Sequence, residues 1–388
     1  MKKKYDQIVV IDSFSFDSFH EMFNAEMLCI YSHLFLKVKY YGQNRNIENI
    51  LKIRPILDNV SFDLLKSFSG RGRWTLLGRY IWAALVTVKV ILLNRKEKYI
   101  ALNNNNPFLL PLLYVIMPFV KSNIFVCCHG ELELLLPNKS IGILAGIQGK
   151  ILELFFLKKK VDEKLSFIVL GDSIMLHLKQ LLPNYNYNRF GAINHPYKFD
   201  DDEVKFTPLS TTEIRIGIIG QTNVAKGYSS LLQLAQTLKN RENNIKVIHI
   251  GKLVGDVALI RSLGIEVVDR DSNGELPREE YKRWIASLHY TLFLYPVDSY
   301  KLIASGALFE SIASGKPIIA LCNDYFKYVF NLTGNIGYLH SSIGELCSFL
   351  ENMQVDAKEY CLLKRKLIAA QSLFSIESVK EEVRFIIG

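Results

Sequence analysis

The sequence predicts an α/β chain built as two doubly wound parallel-sheet domains. Three observations predict it. Short apolar runs alternate with amphipathic helical segments along the 388 residues. Many of these runs end on a polar residue or a glycine, as parallel strands do where their carboxyl ends feed ligand-binding loops. A polar stretch at 200–212, containing Pro208, interrupts the alternation and separates two such series. The expected domains are therefore 1–205 and 206–372, with an amphipathic helix at 373–388.

The first series opens with a strand at 7–11 ending on Asp12. A helix follows to about Phe35, with His20 and Glu21 in its first turn. A strand at 37–41 and a helix at 47–53 come next. Residues 59–94 read as mostly helical, broken at 69–72. The strand at 99–102 runs into Asn103, Asn104, Asn105 and Asn106 before Pro107, a turn and helix-start signal. The helix to about Val120 is apolar nearly all round. Further strands are expected at 123–128, 166–170 and 189–193. They end on His129-Gly130-Glu131, Gly171-Asp172 and Asn194-His195, with helices at 142–158 and 172–182 between them. Asp12, the run 103–106, His129, Asp172 and His195 thus fall on one rim.

The second series opens with a strand at 214–219, the loop Gly220-Gln-Thr-Asn-Val-Ala-Lys226-Gly227 and an amphipathic helix at 228–240. It continues through strands at 246–251 and 266–268, with helices at 256–263 and 277–287, to an apolar strand at 290–295. Residues 305–317 follow. Ser305 suits a helix N-cap, Gly315 a C′ position, and Pro317 forbids continuation. Another strand is expected at 318–321.

A helix N-terminus offers unpaired N–H groups to a phosphate, and Gly306 lets a ligand come close. Helical side chains lean toward the N-terminus, so Glu310 leans toward that site. A carboxylate there suits sugar hydroxyls beside the phosphate. A solvent-exposed Glu on an ordinary helix is the equal alternative from these residues alone.

Composition narrows the class. Apolar residues are 49% of the chain, enough for full cores. Six cysteines form no CxxC pair and eight histidines no HExxH or HxxxH pair, which fits a reducing compartment and argues against zinc. Residues 1–200 hold 26 Lys+Arg against 16 Asp+Glu, and the remainder 21 against 22, so the net +9 sits in the first half. The clusters are Lys2–Lys4, Arg71/Arg73/Arg79, Arg95/Lys96/Lys98 and Lys158–Lys160. Several flank helices carrying Trp74, Tyr80, Trp82, Phe155 and Phe156. Charge beside apolar surface suggests an anionic membrane face. A solvated surface is equally open, and nucleic acid is disfavoured because no stacking-aromatic motif appears. The apolar runs 81–93 and 106–120 fall short of the ~18 residues that span a bilayer. The N-terminus lacks a signal-peptide core. The expectation is a cytoplasmic chain, peripheral on the inner face of the plasma membrane.

Two segments resemble retaining glycosyltransferases of the GT-B fold, family 4 type, in which two Rossmann-like domains face each other across a cleft. The loop 220–227 resembles that family's Gly-Arg-x-x-x-x-Lys-Gly phosphate loop, with Lys226 and Gly227 in register. The run Phe309-Glu310-Ser-Ile-Ala-Ser-Gly315-Lys-Pro317-Ile-Ile-Ala320 resembles its Leu-Glu-Ala-Met-Ala-x-Gly-x-Pro-Val-Ile-Ala segment. The likeness covers about 214–340; before that it is architectural, plus His129-Gly130. Two residues depart. Gln221 replaces the loop arginine, and Leu302 replaces the first glutamate of a paired Glu-x7-Glu motif that contacts the donor sugar. Arg215 lies mid-strand and is a poor substitute for the arginine.

The resemblance implies a donor site of Gly220, Gln221, Lys226, Gly227, Ser305, Gly306 and Glu310. Lys226 would hold the diphosphate, Glu310 the ribose, and Asp298, Tyr300 or Lys301 would replace the missing glutamate. His129 would lie near the reacting sugar. Asp12, His20, Glu21, Asn104 and Glu131 are acceptor-side candidates. The implied activity is sugar transfer from a nucleoside diphosphate sugar to a glycan or a polyprenyl-diphosphate-linked acceptor, in bacterial surface polysaccharide synthesis. No cofactor and no metal are expected. A nucleotide-sugar epimerase of the same fold, or a non-catalytic partner of a polysaccharide synthase, are the alternatives.

Overall fold

The computed structural model describes residues 5–55, 58–66, 73–137, 139, 142–199, 213–239, 244–268 and 276–388. The expected linker at 200–212, the helix break at 69–72 and Lys2–Lys4 lie outside the described residues. The chain divides into two compact units. Unit 1 is Met1–Lys198 with Leu302–Ala304 and Leu373–Gly388; unit 2 is Phe199–Lys301 with Ser305–Ser372.

Unit 1 runs β1 (Tyr5–Ile11), α1 (Glu21–Leu34), β2 (Phe35–Gly42), α2 (Asn44–Ile53), β3 (Val60–Leu64), α3 (Arg73–Leu93), β4 (Tyr99–Leu102), α4 (Leu110–Ile116) and β5 (Asn123–Cys127). It continues through α5 (Ile143–Glu153), β6 (Leu165–Val169), α6 (Asp172–Leu181), α7 (Asn184–Tyr187) and β7 (Phe190–Ala192). The sheet is parallel, in the order β3-β2-β1-β4-β5-β6-β7. The central strands are continuous apolar runs because helices cover both faces. Ile8, Val10, Ala101 and Cys127 pack into one core with Met27, Tyr31 and Leu34 of α1.

Two expectations are corrected here. Residues 60–64 form β3, a strand where helix was expected. It pairs only with β2 at the sheet edge, and its residues are half-buried or exposed, so it carries no apolar run to read. The helix expected at 142–158 is α5 followed by a π-helical turn, Leu154–Lys158, that turns Phe155 and Phe156 into the core.

Unit 2 runs β8 (Ile214–Ile219), α8 (Tyr228–Leu238), β9 (Ile245–Ile250), α9 (Val257–Ser262), β10 (Glu266–Val268), α10 (Arg278–Ala286), β11 (Tyr290–Phe293), α11 (Gly306–Ala313) and β12 (Ile318–Leu321). It closes with α12 (Asp324–Thr333), β13 (Gly337–His340), α13 (Ile343–Glu351) and α14 (Ala357–Gln371). Its parallel sheet has the order β10-β9-β8-β11-β12-β13. Strand order reverses between β8 and β11, which makes their carboxyl ends the switch point where such sheets bind ligands. Ile216, Ile218, Leu292 and Ile319 form the core with Leu231 and Leu234 of α8 and Leu346 and Leu350 of α13.

The last helix, α15 (Ile376–Ile387), belongs to unit 1. Val379 and Val383 are fully buried in the core beside α1. Glu382 accepts from the backbone and side-chain nitrogens of Asn194 at 2.6 and 2.9 Å. Leu302–Ala304, expected within the second domain, also group with unit 1.

Candidate functional site

In unit 2 the site is built at the switch point. Gly220 and Gly227 both take positive φ, 87° and 86°, which fixes the two ends of the loop after β8. Thr222 pins the middle: its hydroxyl bonds His249 Nε2 at 2.9 Å, and its backbone pairs with Lys252 and Val254. Asn223 Oδ1 accepts from the backbone of Lys226 at 3.0 Å and so caps a short 3-10 turn that presents this lysine. The Lys226 ammonium is half-buried, and burial lowers its pKa from the ordinary lysine value. Gln221 is exposed.

The loop lies against α11. A Cβ built on Gly220 would sit 3.9 Å from the Cβ of Ala307, in the helix's first turn. Ser305 occupies the N-cap position, but its side chain makes no cap bond; it hydrogen-bonds the phenol of Tyr295 instead. The cap expected from sequence is therefore absent as a side-chain bond. Gly306 is exposed, with open space where a Cβ would stand. The Leu308 amide bonds the Ser305 carbonyl at 3.2 Å, so the Gly306 and Ala307 amides are the ones a helix start offers to an outside acceptor, and the adjacent loop supplies a cation. Glu310 lies one turn further on, half-buried. Its charge acts on Tyr281 of α10, whose phenol pKa is raised well above normal by burial first and Glu310 second.

The loop after β11 turns at Pro296–Ser299 and leaves Asp298 exposed and Lys301 half-buried. Tyr300 adopts φ 59° and stacks on Tyr295 at 4.6 Å. A bulky non-glycine residue held at positive φ stores strain, as functional loops often do. Leu302 is 2% exposed, and its N–H donates to Glu133 at 2.7 Å. An apolar side chain fully covered there accounts for the lost carboxylate in packing terms. Arg215 binds Glu213 at 2.7 Å near the start of β8, at the opposite end of the strand from the loop.

Gly227 cannot be replaced cheaply. A Cβ there would stand 2.0 Å from the Leu294 carbonyl oxygen. Gly227→Ala is expected to destabilise the chain by about 3 kcal/mol through strain and clash. Chemical denaturation checks this.

In unit 1 the polar strand ends gather around three imidazoles. His20 stacks on His129 with ring centroids 4.0 Å apart, and Phe23 meets His129 edge-on at 4.5 Å and His195 at 5.7 Å. His129 Nε2 lies 2.8 Å from the Asn103 carbonyl, which can only accept, so Nε2 carries the proton and Nδ1 the lone pair. By the same logic His195 donates through Nδ1 to the Pro196 carbonyl at 3.0 Å. Asn104 Nδ2 donates to His20 Nδ1 at 3.4 Å. His20 itself sits at φ 55° at the start of α1, again a strained position, and makes no side-chain cap bond.

Burial lowers the pKa of all three histidines; neighbouring imidazoles lower His20 and His195 further, and His195 falls to about 4. Each is therefore neutral at pH 7. For His195 the unfolded chain binds a proton near 6.5 and the folded chain only near 4. Stability is full above 6.5 and is lost as pH falls through that window, by about 3 kcal/mol at pH 4. A His195→Gln variant is expected to show a shallower fall in melting temperature between those pH values.

The remaining unit 1 candidates are mostly framework. Asp12 is 1% exposed and its carboxylate is engaged three times: by the amides of Phe14 (3.2 Å) and Ser15 (2.9 Å), and by Asn24 Nδ2 (2.6 Å). Glu131 accepts from Asn105 Nδ2 at 2.7 Å and from the amides of His129 and Gly130 at 3.1 and 3.0 Å. Both acids, acceptor-side candidates from the sequence, hold the loops that lead to His20 and His129 through these bonds. Glu21 is half-buried in the first turn of α1. Sequence reasoning missed Asn24 and Asn46. Asn24 joins Asp12 to Asn103 (3.1 Å), and Asn46 holds the carbonyls of Asp17 and Phe19 at 2.9 and 3.0 Å. For Asn24 the available signal was an asparagine among Phe23, Ala25 and Met27 in α1. Among the described residues no group of three or more His, Cys, Asp or Glu could hold a metal ion.

Solved structures share this architecture over nearly the whole chain. The Anabaena Alr3699/HepE complex with UDP and glucose superposes with a TM-score of 0.65 at 12% identity, covering 98% of each chain. The α,α-trehalose 6-phosphate synthase of Burkholderia multivorans gives 0.63 at 10% identity over 99% of this chain and 96% of that one. The N-terminal domain of Candida albicans trehalose-6-phosphate phosphatase gives 0.62 at 10% identity over 100% and 97%. The fold is GT-B. No family model matches the chain, and no curated protein matches it. At these identities the likeness establishes the GT-B fold, and the chemistry has to come from the residues.

Proposed function

We propose that this GT-B chain is a glycosyltransferase that moves a sugar from a nucleoside diphosphate sugar, held by unit 2, to a hydroxyl of a glycan or polyprenyl-diphosphate-linked acceptor bound by unit 1, in assembly of a bacterial surface polysaccharide. One observation carries the reading. The Lys226 loop abuts the first turn of α11, where Ser305 makes no side-chain cap bond, Gly306 borders open space and Glu310 follows one turn later. Cation, helix N-terminus and carboxylate are what a diphosphate next to a ribose requires. A neighbour of the same fold binds UDP-glucose, which supports a uridine diphosphate sugar as the donor.

In the transfer, the acceptor oxygen bonds to the anomeric carbon as that carbon's bond to the diphosphate breaks. The hydroxyl proton is released, and negative charge grows on the departing phosphate. Lys226 and the Gly306 and Ala307 amides meet that charge. His129, neutral and with its lone pair on Nδ1, is the catalytic imidazole this reading assigns to unit 1. Burial of Leu302 favours a second reading, a nucleotide-binding partner of a synthase that transfers nothing itself. An epimerase needs free acids near the sugar, and Asp12 and Glu131 are engaged in framework bonds.

Incubating the purified chain with a panel of nucleotide sugars, with and without a polyprenyl-diphosphate acceptor, separates these readings. The transferase releases nucleoside diphosphate only when acceptor is present. Binding without release indicates the non-catalytic partner, and conversion of donor without acceptor indicates the epimerase.

A further inference from the structure

Three neighbouring helices of unit 1 present apolar stripes outward. On α3, Ile81, Leu85 and Leu92 recur at helical spacing with exposures of 43, 53 and 36%, flanked by Trp82 and Leu93. The opposite side of α3 is fixed to the unit: Ala83, Ala84, Val90 and Ile91 are buried, Ser13 bonds Thr87 Oγ1 at 2.6 Å and the Ala83 carbonyl at 3.0 Å, and Asn106 holds the Tyr80 carbonyl. Next to it, α4 and the turn after it expose Val115 and Phe119. Beyond α4, α5 and its π turn expose Ile143, Ile147 and Leu154, spaced four and seven apart.

The sequence suggested that no helix here reaches bilayer length. The structure corrects this: Thr75–Leu93 is a continuous apolar helix of 19 residues with mean hydropathy 1.8, of which 28% is buried. Its fixed inner face rules out a span, because crossing a bilayer would break the Ser13, Thr87 and Asn106 bonds and strip Val90 and Ile91 from the core. A helix with one side anchored and the other apolar suits the membrane–water boundary.

Charge selects the occupant. Residues 73–164 hold thirteen Lys+Arg against six Asp+Glu, a net +7 of the chain's +9. Lys89 sits within the α3 stripe, and Arg95, Lys96 and Lys98 follow its end, all exposed. The Arg95 carbonyl accepts from the Lys121 amide, which brings Lys121 beside them next to Phe119. Lys159 stands over the Tyr114 ring at 4.5 Å. Long basic side chains around an apolar patch can reach anionic headgroups while the patch enters the acyl boundary. We propose that the α3–α4–α5 face is the surface by which this chain docks on an anionic lipid bilayer.

Flotation of the full chain with vesicles tests this, and it does not depend on the donor-site reading, since Lys226→Ala is expected to float as the parent does. The parent chain is expected to float with vesicles containing phosphatidylglycerol and to remain in solution with phosphatidylcholine alone. A Leu85→Glu/Leu92→Glu variant, altered only at exposed positions, is expected to lose at least about tenfold in vesicle binding with its melting temperature unchanged. Arg95→Gln and Lys96→Gln should each cost about fivefold. Three results overturn the proposal: no binding to either vesicle, undiminished binding by the double variant, or a concentration-dependent dimer that the same substitutions disperse.

Discussion

Lys226→Ala is expected to lower sugar transfer by about a hundred- to a thousandfold, the scale typical of removing one group that meets developing negative charge. The expectation rests on where the lysine is. Two positive-φ glycines and the Asn223 cap hold it at the mouth of the loop, and burial weakens its protonated form. A partly desolvated ammonium is unfavourable in the empty protein and is relieved when a diphosphate arrives. Three consequences follow from the sign of that shift. Donor binding takes up protons where the pH approaches the lowered lysine pKa. Its affinity falls as pH rises through the lowered lysine pKa. And the alanine variant is no less stable than the parent. Calorimetry in buffers of different ionisation enthalpy, steady-state kinetics across pH and thermal melting check them in turn. Unchanged kcat/KM in the variant would remove Lys226 from the mechanism.

The second large effect is expected at Glu310. Glu310→Ala should weaken nucleotide-sugar affinity by about ten- to a hundredfold, because a carboxylate accepting from two ribose hydroxyls makes charge-assisted bonds worth about 1.5–3 kcal/mol each before desolvation offsets them. A purely structural glutamate would alter stability instead. The site carries its own internal control. Glu310 contributes to the raised pKa of Tyr281, so its removal should let that phenol titrate at lower pH even without ligand. A lower Tyr281 pKa with undiminished nucleotide affinity would place Glu310 beside Tyr281 but away from the ribose.

Much of this was legible in the residues, and the gaps have physical causes. Parallel strands covered on both faces are continuous apolar runs, so β1, β8 and β12 could be read directly. The edge strand β3 could not, because a strand paired on one side need not be apolar. The span of α3 was obscured by Arg79, which lies just before the apolar run 81–93 in sequence while the helix passes through it. Arg79 lies over the rings of Phe14 and Phe16, at 4.9 and 4.4 Å to the guanidinium, and Lys89 is exposed. In unit 2 the positions of Lys226, Gly306 and Glu310 followed from loop and helix chemistry that is local in sequence. In unit 1 the internal bonds of the acids were not legible. Whether a carboxylate faces a substrate or ties down a loop depends on which amides fold back onto it, and for Asp12 and Glu131 those include Asn24 and Asn105, both distant along the chain.

The central claim is that unit 2 binds a nucleoside diphosphate through the Lys226 loop and the start of α11. Calorimetric titration of the full chain with UDP tests it most directly, with Lys226→Ala and Glu310→Ala titrated alongside. The account predicts saturable binding at a single site, weakened in both variants, with the Lys226→Ala deficit narrowing as pH rises through the lowered lysine pKa. Failure of the parent chain to bind UDP or any other nucleoside diphosphate, or equal binding by all three proteins, would contradict it.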